Sequence, residues 1–159
     1  MKQNEFAKWL KFIIITKAII GLFFCFLIVP GLGSDIASAN PEFSYMFMPS
    51  LMFIWITAIP FYLALWKSWC ICCEISQDNS FSEKNAKALK YISRLALVEC
   101  ILYLFAMVVL LFLNLLHPSI LLISLFIIFV GISVGIVSAV LSHLVQKAND
   151  IKQENDLTI

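Results

Sequence analysis

Asn79-Ser-Phe-Ser-Glu-Lys-Asn-Ala-Lys-Ala-Leu-Lys-Tyr-Ile-Ser-Arg94, running on into Leu95-Ala-Leu-Val-Glu99, is the main polar interruption in an otherwise apolar chain. It divides the sequence into two similar halves, each a pair of long apolar runs. With 62% hydrophobic and 13% charged residues over 159 positions, the chain departs from the roughly 45–50% apolar and 25% charged usage of soluble domains. A water-soluble core cannot absorb that much apolar surface. A bilayer span needs about 20 mostly apolar residues, and four segments meet or approach that length, over about 12–29, 46–69, 88–114 and 119–145. Residues 1–159 therefore read as a single transmembrane domain, an all-α integral membrane four-helix bundle. A hinge over 70–90 and a tail over 146–159 supply most of its polar surface.

Charge placement orients the bundle. Lys2, Lys8, Lys11 and Lys17 precede or open the first span. Lys67, Lys84, Lys87, Lys90 and Arg94 lie between the second and third or at their facing ends, and Lys147 and Lys152 follow the fourth, which accounts for all eleven Lys and Arg. The 30–48 connection carries only Asp35 and Glu42, and the 114–118 connection only His117. The positive-inside rule then places both termini and the hinge in the cytoplasm. Helices three and four would project past the bilayer there. Met1-Lys2, an apolar run and Ala37-Ser-Ala39 imitate a cleavable leader, but the run exceeds the usual 7–15-residue leader core, and an uncleaved first span is expected.

Local signals refine the spans. Pro30-Gly-Leu-Gly33 is expected to end the first helix, and Pro60 to remove a hydrogen bond from the second. Ser80 and Glu83 have capping-box spacing, which predicts a helix start near Phe81. Gly131, Gly135 and Ala139 give the fourth span a flat face for close contact. Packing within the chain is the default reading of that face, with a homodimer as the alternative.

The sharpest features are ionisable residues in apolar runs, which tend to pair and to serve function. Entry near Trp9 and Lys90 puts Lys17 and Glu99 at matching depths, roughly 12–14 Å at 1.5 Å per residue. That permits an ion pair, with Tyr103 one turn beyond Glu99 as a donor. The pair reads either as a proton- or ligand-responsive switch or as a static contact between spans one and three. Gly21 would admit close approach of another helix, and Arg94 reads as snorkelling to water. Cys70-Ile-Cys72-Cys73 contains a C-x-x-C, but with no second pair and no nearby histidine it lacks four zinc ligands. Packed cysteines are the plainer reading, beside a redox-sensing or lipidated thiol. No metal or cofactor is expected. No nucleophile–base pair, phosphate loop or His/carboxylate cluster appears, so an enzyme is not expected either.

Asn79-Ser-Phe-Ser-Glu-Lys-Asn85 and the ending Ala148…Ile151-Lys-x-Glu154-Asn-Asp-Leu-Thr-Ile159 resemble the bacterial membrane-protein family called domain of unknown function 2975. The resemblance covers essentially the whole four-span layout. It implies a bacterial cytoplasmic (inner) membrane protein partnered by a small cytoplasmic helix-turn-helix regulator, and it brings no catalytic residues. The expected function is a non-enzymatic regulatory or sensory membrane protein without direct nucleic-acid contact. Its partner-binding candidates are Ser80, Phe81, Glu83 and Asn85 in the hinge and Glu154, Asn155, Asp156, Leu157 and Ile159 in the tail. The alternative is a small transporter or toxin-immunity protein using Lys17 and Glu99.

Overall fold

A computed structural model describes residues 3–156. Four helices long and apolar enough to cross a membrane make up almost all of that stretch. The first runs from Gln3 to Phe23, passes through a π-helical turn over Phe24–Ile28, and continues as Val29–Ala39. After a 3-10 segment over Pro41–Met46, the second spans Phe47–Ser76, the third Glu83–Phe112 and the fourth Pro118–Asp156. Second and third, at 30 residues each, measure about 45 Å, longer than a hydrocarbon core of about 30 Å. The 39-residue fourth helix is longer still.

Pro30 does not end the first helix, contrary to the sequence expectation, and the π-turn supplies the reason. There the Val29 amide bonds back five residues to the Phe24 carbonyl. In the same pattern the Cys25 carbonyl would be served by the amide of residue 30, which proline lacks. The Trp55 indole Nε1–H of the second span donates to that carbonyl instead, at 3.2 Å. The lost backbone bond becomes an interhelical one, and the helix continues.

Two junctions stop helices through left-handed residues. Asp78 (φ 62°) and Asn114 (φ 55°) follow the second and third helices. Asn79 N–H bonds Glu74 O and Asp78 N–H bonds Ile75 O, and the pattern repeats with Leu115 to Leu110 and Asn114 to Leu111. This is the Schellman arrangement, with Asp and Asn tolerating the left-handed conformation usually assigned to glycine.

The interior is inverted relative to a soluble protein. Buried residues are mostly small or polar: Ala7, Cys72, Ala86 and Cys100, with Thr57, Ser93, Ser124, Ser138 and Ser142. Large apolar side chains such as Phe105, Leu122, Phe126 and Phe129 point outward. Lipid provides no hydrophobic drive between helices, so close backbone approach through small residues takes over. Hydroxyls on outer faces are satisfied within their own helices, Thr16 donating to Phe12 O and Ser133 to Phe129 O.

The helices pack as a row in chain order. First meets second, second meets third, third meets fourth, and among the described residues no other pair of spans brings Cα atoms within 8 Å. Each contact uses a seven-residue stripe, the signature of antiparallel helices crossing at small angles. On the second helix Trp55, Tyr62 and Trp69 face the first: Trp55 bonds Cys25 O, Tyr62 donates to Ala18 O at 2.9 Å, and Lys11 stands over Trp69 at 5.5 Å. Phe53, Pro60, Lys67 and Glu74 form the stripe turned to the third. Phe53 meets Tyr103 edge-on at 5.3 Å, Lys67 stands over Tyr91 at 5.2 Å, and Glu74 accepts from Lys84 at 3.4 Å. Phe53 precedes Trp55 by two residues, about 200° around the helix, so first and third spans lie on opposite flanks of the second.

The third and fourth helices share the most extensive seam. Ala86, Ser93 and Cys100 meet Ser124, Gly131, Gly135, Ser138 and Ser142, with Ser142 Oγ donating to Ala86 O at 2.7 Å and Cys100 Sγ to Ile128 O at 3.5 Å. Gly131 and Gly135 pack as expected, but Ala139 is exposed. Each four-residue step advances about 400°, so a strict i, i+4, i+8 series drifts off a straight seam. The seam steps four then three, and Ser138 takes the place the sequence reading assigned to Ala139.

Candidate functional site

Two places carry polar chemistry: the loop between the second and third helices, and a carboxyl within the third. In the loop the helix cap lies two residues later than the Ser80–Glu83 box predicts. Ser82 Oγ accepts from the Asn85 backbone N–H at 3.2 Å, and the helix begins at Glu83. Ser82-x-x-Asn85 has the same spacing as Ser80-x-x-Glu83, and the side chain at its third position decides between them. Asn85 Nδ2 reaches back and donates to Ser80 O at 2.9 Å and Asn79 O at 3.3 Å, so it ties down loop carbonyls where the side chain of a capping box would accept from the cap residue's own amide. Ser82 and Asn85 are 6% and 2% exposed, so this polar knot is internal to the loop. Asn79 Nδ2 in turn donates to Glu74 Oε2 at 2.8 Å.

The knot sets the outward groups. Phe81, wedged between Ser80 and Ser82, is 58% exposed, and Glu83 is exposed and bridged to Lys87 at 2.7 Å. The hydrogen bond from the Lys87 ammonium, with its charge, holds the Glu83 carboxyl below the usual carboxylate range. Of the predicted partner-binding residues, Phe81 and Glu83 face outward, whereas Asn85 is structural and Ser80 contributes its carbonyl. The fourth helix runs past the knot: Ser142 is level with Ala86, and the same antiparallel register brings buried Asn149 level with Asn79. Beyond it Glu154 and Asn155 are exposed and engaged in side-chain or electrostatic contacts. The backbone of Asp156 ends the helix, while Leu157 and Ile159 lie outside the described residues.

Lys17 and Glu99 are not brought together. Neither ion pair among the described residues involves them. Contacts of the first and second spans place Lys17 across from about Leu63, and those of the second and third place Glu99 across from about Ile59, an axial offset of about 6 Å at 1.5 Å per residue. The larger obstacle is rotational, because the second span stands between them. Lys17 is exposed, about one turn from the level of Lys67 and within snorkelling reach of that end. Glu99 is half-buried, and its Oε2 is buried without a hydrogen-bond partner. Tyr103 does not donate to it; that ring lies against Phe53 and beside Thr57 of the second span. Gly21 does admit a close neighbour: a Cβ there would stand 2.7 Å from the Tyr62 hydroxyl.

Sequence reasoning missed Trp55 as a backbone donor and the serines of the third–fourth seam. The seven-residue spacing of Trp55, Tyr62 and Trp69 was the available signal.

Residues 31–159 match the family described as "Protein of unknown function (DUF2975)". The chain is also similar to the uncharacterized membrane protein YoaS of Bacillus subtilis, 33% identical over 153 residues, which cover 95% of this chain and 96% of that protein. No solved structure matches. With four membrane-length helices, and a family match that runs from Gly31 near the end of the first of them through the other three to the tail, the chain belongs to the DUF2975 family of membrane proteins.

Proposed function

We propose that this is a non-enzymatic regulatory or sensory protein of the bacterial cytoplasmic membrane that holds a small helix-turn-helix regulator at its cytoplasmic face and controls that regulator's access to DNA. The observation that carries the reading is the loop over 77–85. Its knot of buried Ser82 and Asn85 with half-buried Asn79 fixes an exposed Phe81 beside the overrunning end of the fourth helix. A rigid loop that spends its polar side chains on displaying an aromatic group suits protein recognition, since aromatic anchors dominate interface energetics. Lysines and Arg94 at the same end support a cytoplasmic setting for the loop and both termini. No residue contacts nucleic acid directly in this reading, and no cofactor takes part. The transport or immunity alternative drew on a Lys17–Glu99 pair, which the packing does not form.

The test is in-cell photo-crosslinking from position 81 and from the tail at Ile151. Capture of one small helix-turn-helix protein, lost on Phe81→Ala with membrane abundance unchanged, is the expected result. Crosslinks confined to lipid and membrane proteins would reject the reading.

A further inference from the structure

Glu99 is the one described side chain with a buried polar atom lacking any partner. Groups facing it come from two neighbouring helices. On the second helix, contacts pair Phe53 with Tyr103 and Lys67 with Tyr91, so residue numbers across the contact sum to 156 or 158 and Glu99 stands across from residues 57–59. Thr57 and Pro60, both buried, occupy that level. Neither is charged, and Lys67 is committed to Tyr91 about 12 Å farther toward the lysine-rich end. The fourth helix presents Gly131, Gly135 and Ser138, and its first titratable residue, His143, adjoins Ser142 at the level of Ala86. On the third helix Cys100 and Tyr103 are the titratable neighbours, and Arg94 is exposed more than a turn away. No Lys, Arg or His nitrogen forms an ion pair with the carboxyl among the described residues.

An ionised carboxylate at that depth would be a buried, uncompensated charge, costly in any low-dielectric setting. Pro60 adds a complementary feature. Pro60 itself lies on the stripe that meets the third span, and lacking an amide it leaves the carbonyl one turn earlier, that of Ile56, without its usual helical donor. A carboxylic acid can donate there, whereas a carboxylate cannot.

We propose that Glu99 is a proton-binding site: it carries a proton at neutral pH, donated toward the backbone opened by Pro60, and packing of the second span on the third is linked to that proton. Binding forms one O–H bond with a proton taken from water at the lysine-rich end. Release returns the proton to water and leaves a carboxylate that favours separation of the two spans. Both spans continue unbroken to the 77–82 loop, so the proton and the shape of that loop are coupled, and the coupling is reciprocal. This stands whether or not the loop holds a regulator.

The probe is dicyclohexylcarbodiimide, which reacts with protonated carboxyls in apolar surroundings and leaves a stable N-acylurea adduct. The full-length protein is labelled in liposomes and mapped by mass spectrometry. At neutral pH the peptide containing Glu99 should be modified at least about tenfold more than those containing Glu5, Glu74 or Glu83, and modification should fall as the medium is made alkaline. Glu99→Gln should abolish the adduct and keep the fold. Pro60→Ala, which restores the amide, should change the labelling rate several-fold without abolishing it. A second measurement follows resistance to unfolding: wild type should weaken as pH rises from the ordinary carboxylate range, where the unfolded chain gives up this proton, until the folded protein gives it up too, and Glu99→Gln should not. Labelling of Glu99 no faster than Glu83, or wild type and Glu99→Gln with the same pH dependence, would overturn the proposal.

Discussion

Replacement of Gly131 by alanine tests the third–fourth seam most directly. A Cβ built there stands 2.6 Å from Cys100 Sγ, whereas ordinary contact is about 3.5–4.0 Å. The sulfur must retreat by about 1 Å or the helices must part. Rotation of the thiol breaks its 3.5 Å bond to Ile128 O, and parting them strains Ser142 on Ala86 O. Overpacking of this kind costs about 1–3 kcal/mol, offset by about 0.5–1 kcal/mol for removing a helical glycine. Gly131→Ala should therefore lose about 0.5–2 kcal/mol. Gly135→Ala is the control, because its Cβ would meet Ser93 O, Ala96 Cβ and Leu97 Cδ2 at 3.7, 3.8 and 4.0 Å. That is ordinary contact, so Gly135→Ala should be neutral or gain up to about 1 kcal/mol. Cys100→Ala removes the obstructing atom, and the cost of Gly131→Ala should largely vanish in that background, a coupling within the roughly 0.5–3 kcal/mol seen for residues in contact. Denaturing-detergent titration in mixed micelles, followed by tryptophan fluorescence and helical dichroism, measures all four variants. Equal effects of Gly131→Ala and Gly135→Ala, or no relief from Cys100→Ala, would refute the assigned seam.

Trp55→Phe removes the donor to Cys25 O and should cost about 0.6–1.7 kcal/mol, the range for interhelical bonds in membranes. The cost should shrink when Pro30→Ala restores a backbone amide, as the same titration can read. Asp78→Val forces a β-branched residue into a left-handed position and should cost about 1–2 kcal/mol, while Asp78→Gly should be tolerated, both measured by thermal melting in detergent. Glu83 titrates below its reference value of 4.5 because Lys87 bridges it. Its folded value is lowered, so its contribution is present above the ordinary carboxylate range and disappears as pH falls through the lowered value. Melting curves of wild type and Glu83→Gln should therefore converge in acid.

Four spans follow from apolar length alone, and the side on which lysines gather is visible without coordinates. Gly21, Gly131 and Gly135 were legible as close contacts because a missing side chain has few other uses in a membrane helix. What escaped was rotation. Matched depth of Lys17 and Glu99 is a one-dimensional measure, and it cannot say that the stripes of Trp55 and Phe53 put the first and third spans on opposite flanks. Ala139 failed for the same reason, a small angle accumulated over two steps. Pro30 was misjudged because the rule for stopping helices considers only the chain's own backbone, and the Trp55 indole lies 30 residues away. In the loop, two serines with equal spacing competed, and the outcome turned on the buried amide of Asn85, whose partners are backbone carbonyls with no signature in sequence.

A row in chain order has no closing contact, so the order of delivery into the bilayer is also the order of assembly. Each span finds its partner in the one just inserted, and none waits for a distant segment to arrive. Loop-closure entropy is correspondingly small, which favours rapid assembly. Chains separated between the second and third spans would keep the first–second and third–fourth pairs whole and lose one contact face. Co-expression of residues 1–78 with 79–159 should therefore reconstitute the protein from two hairpins, each already complete in itself.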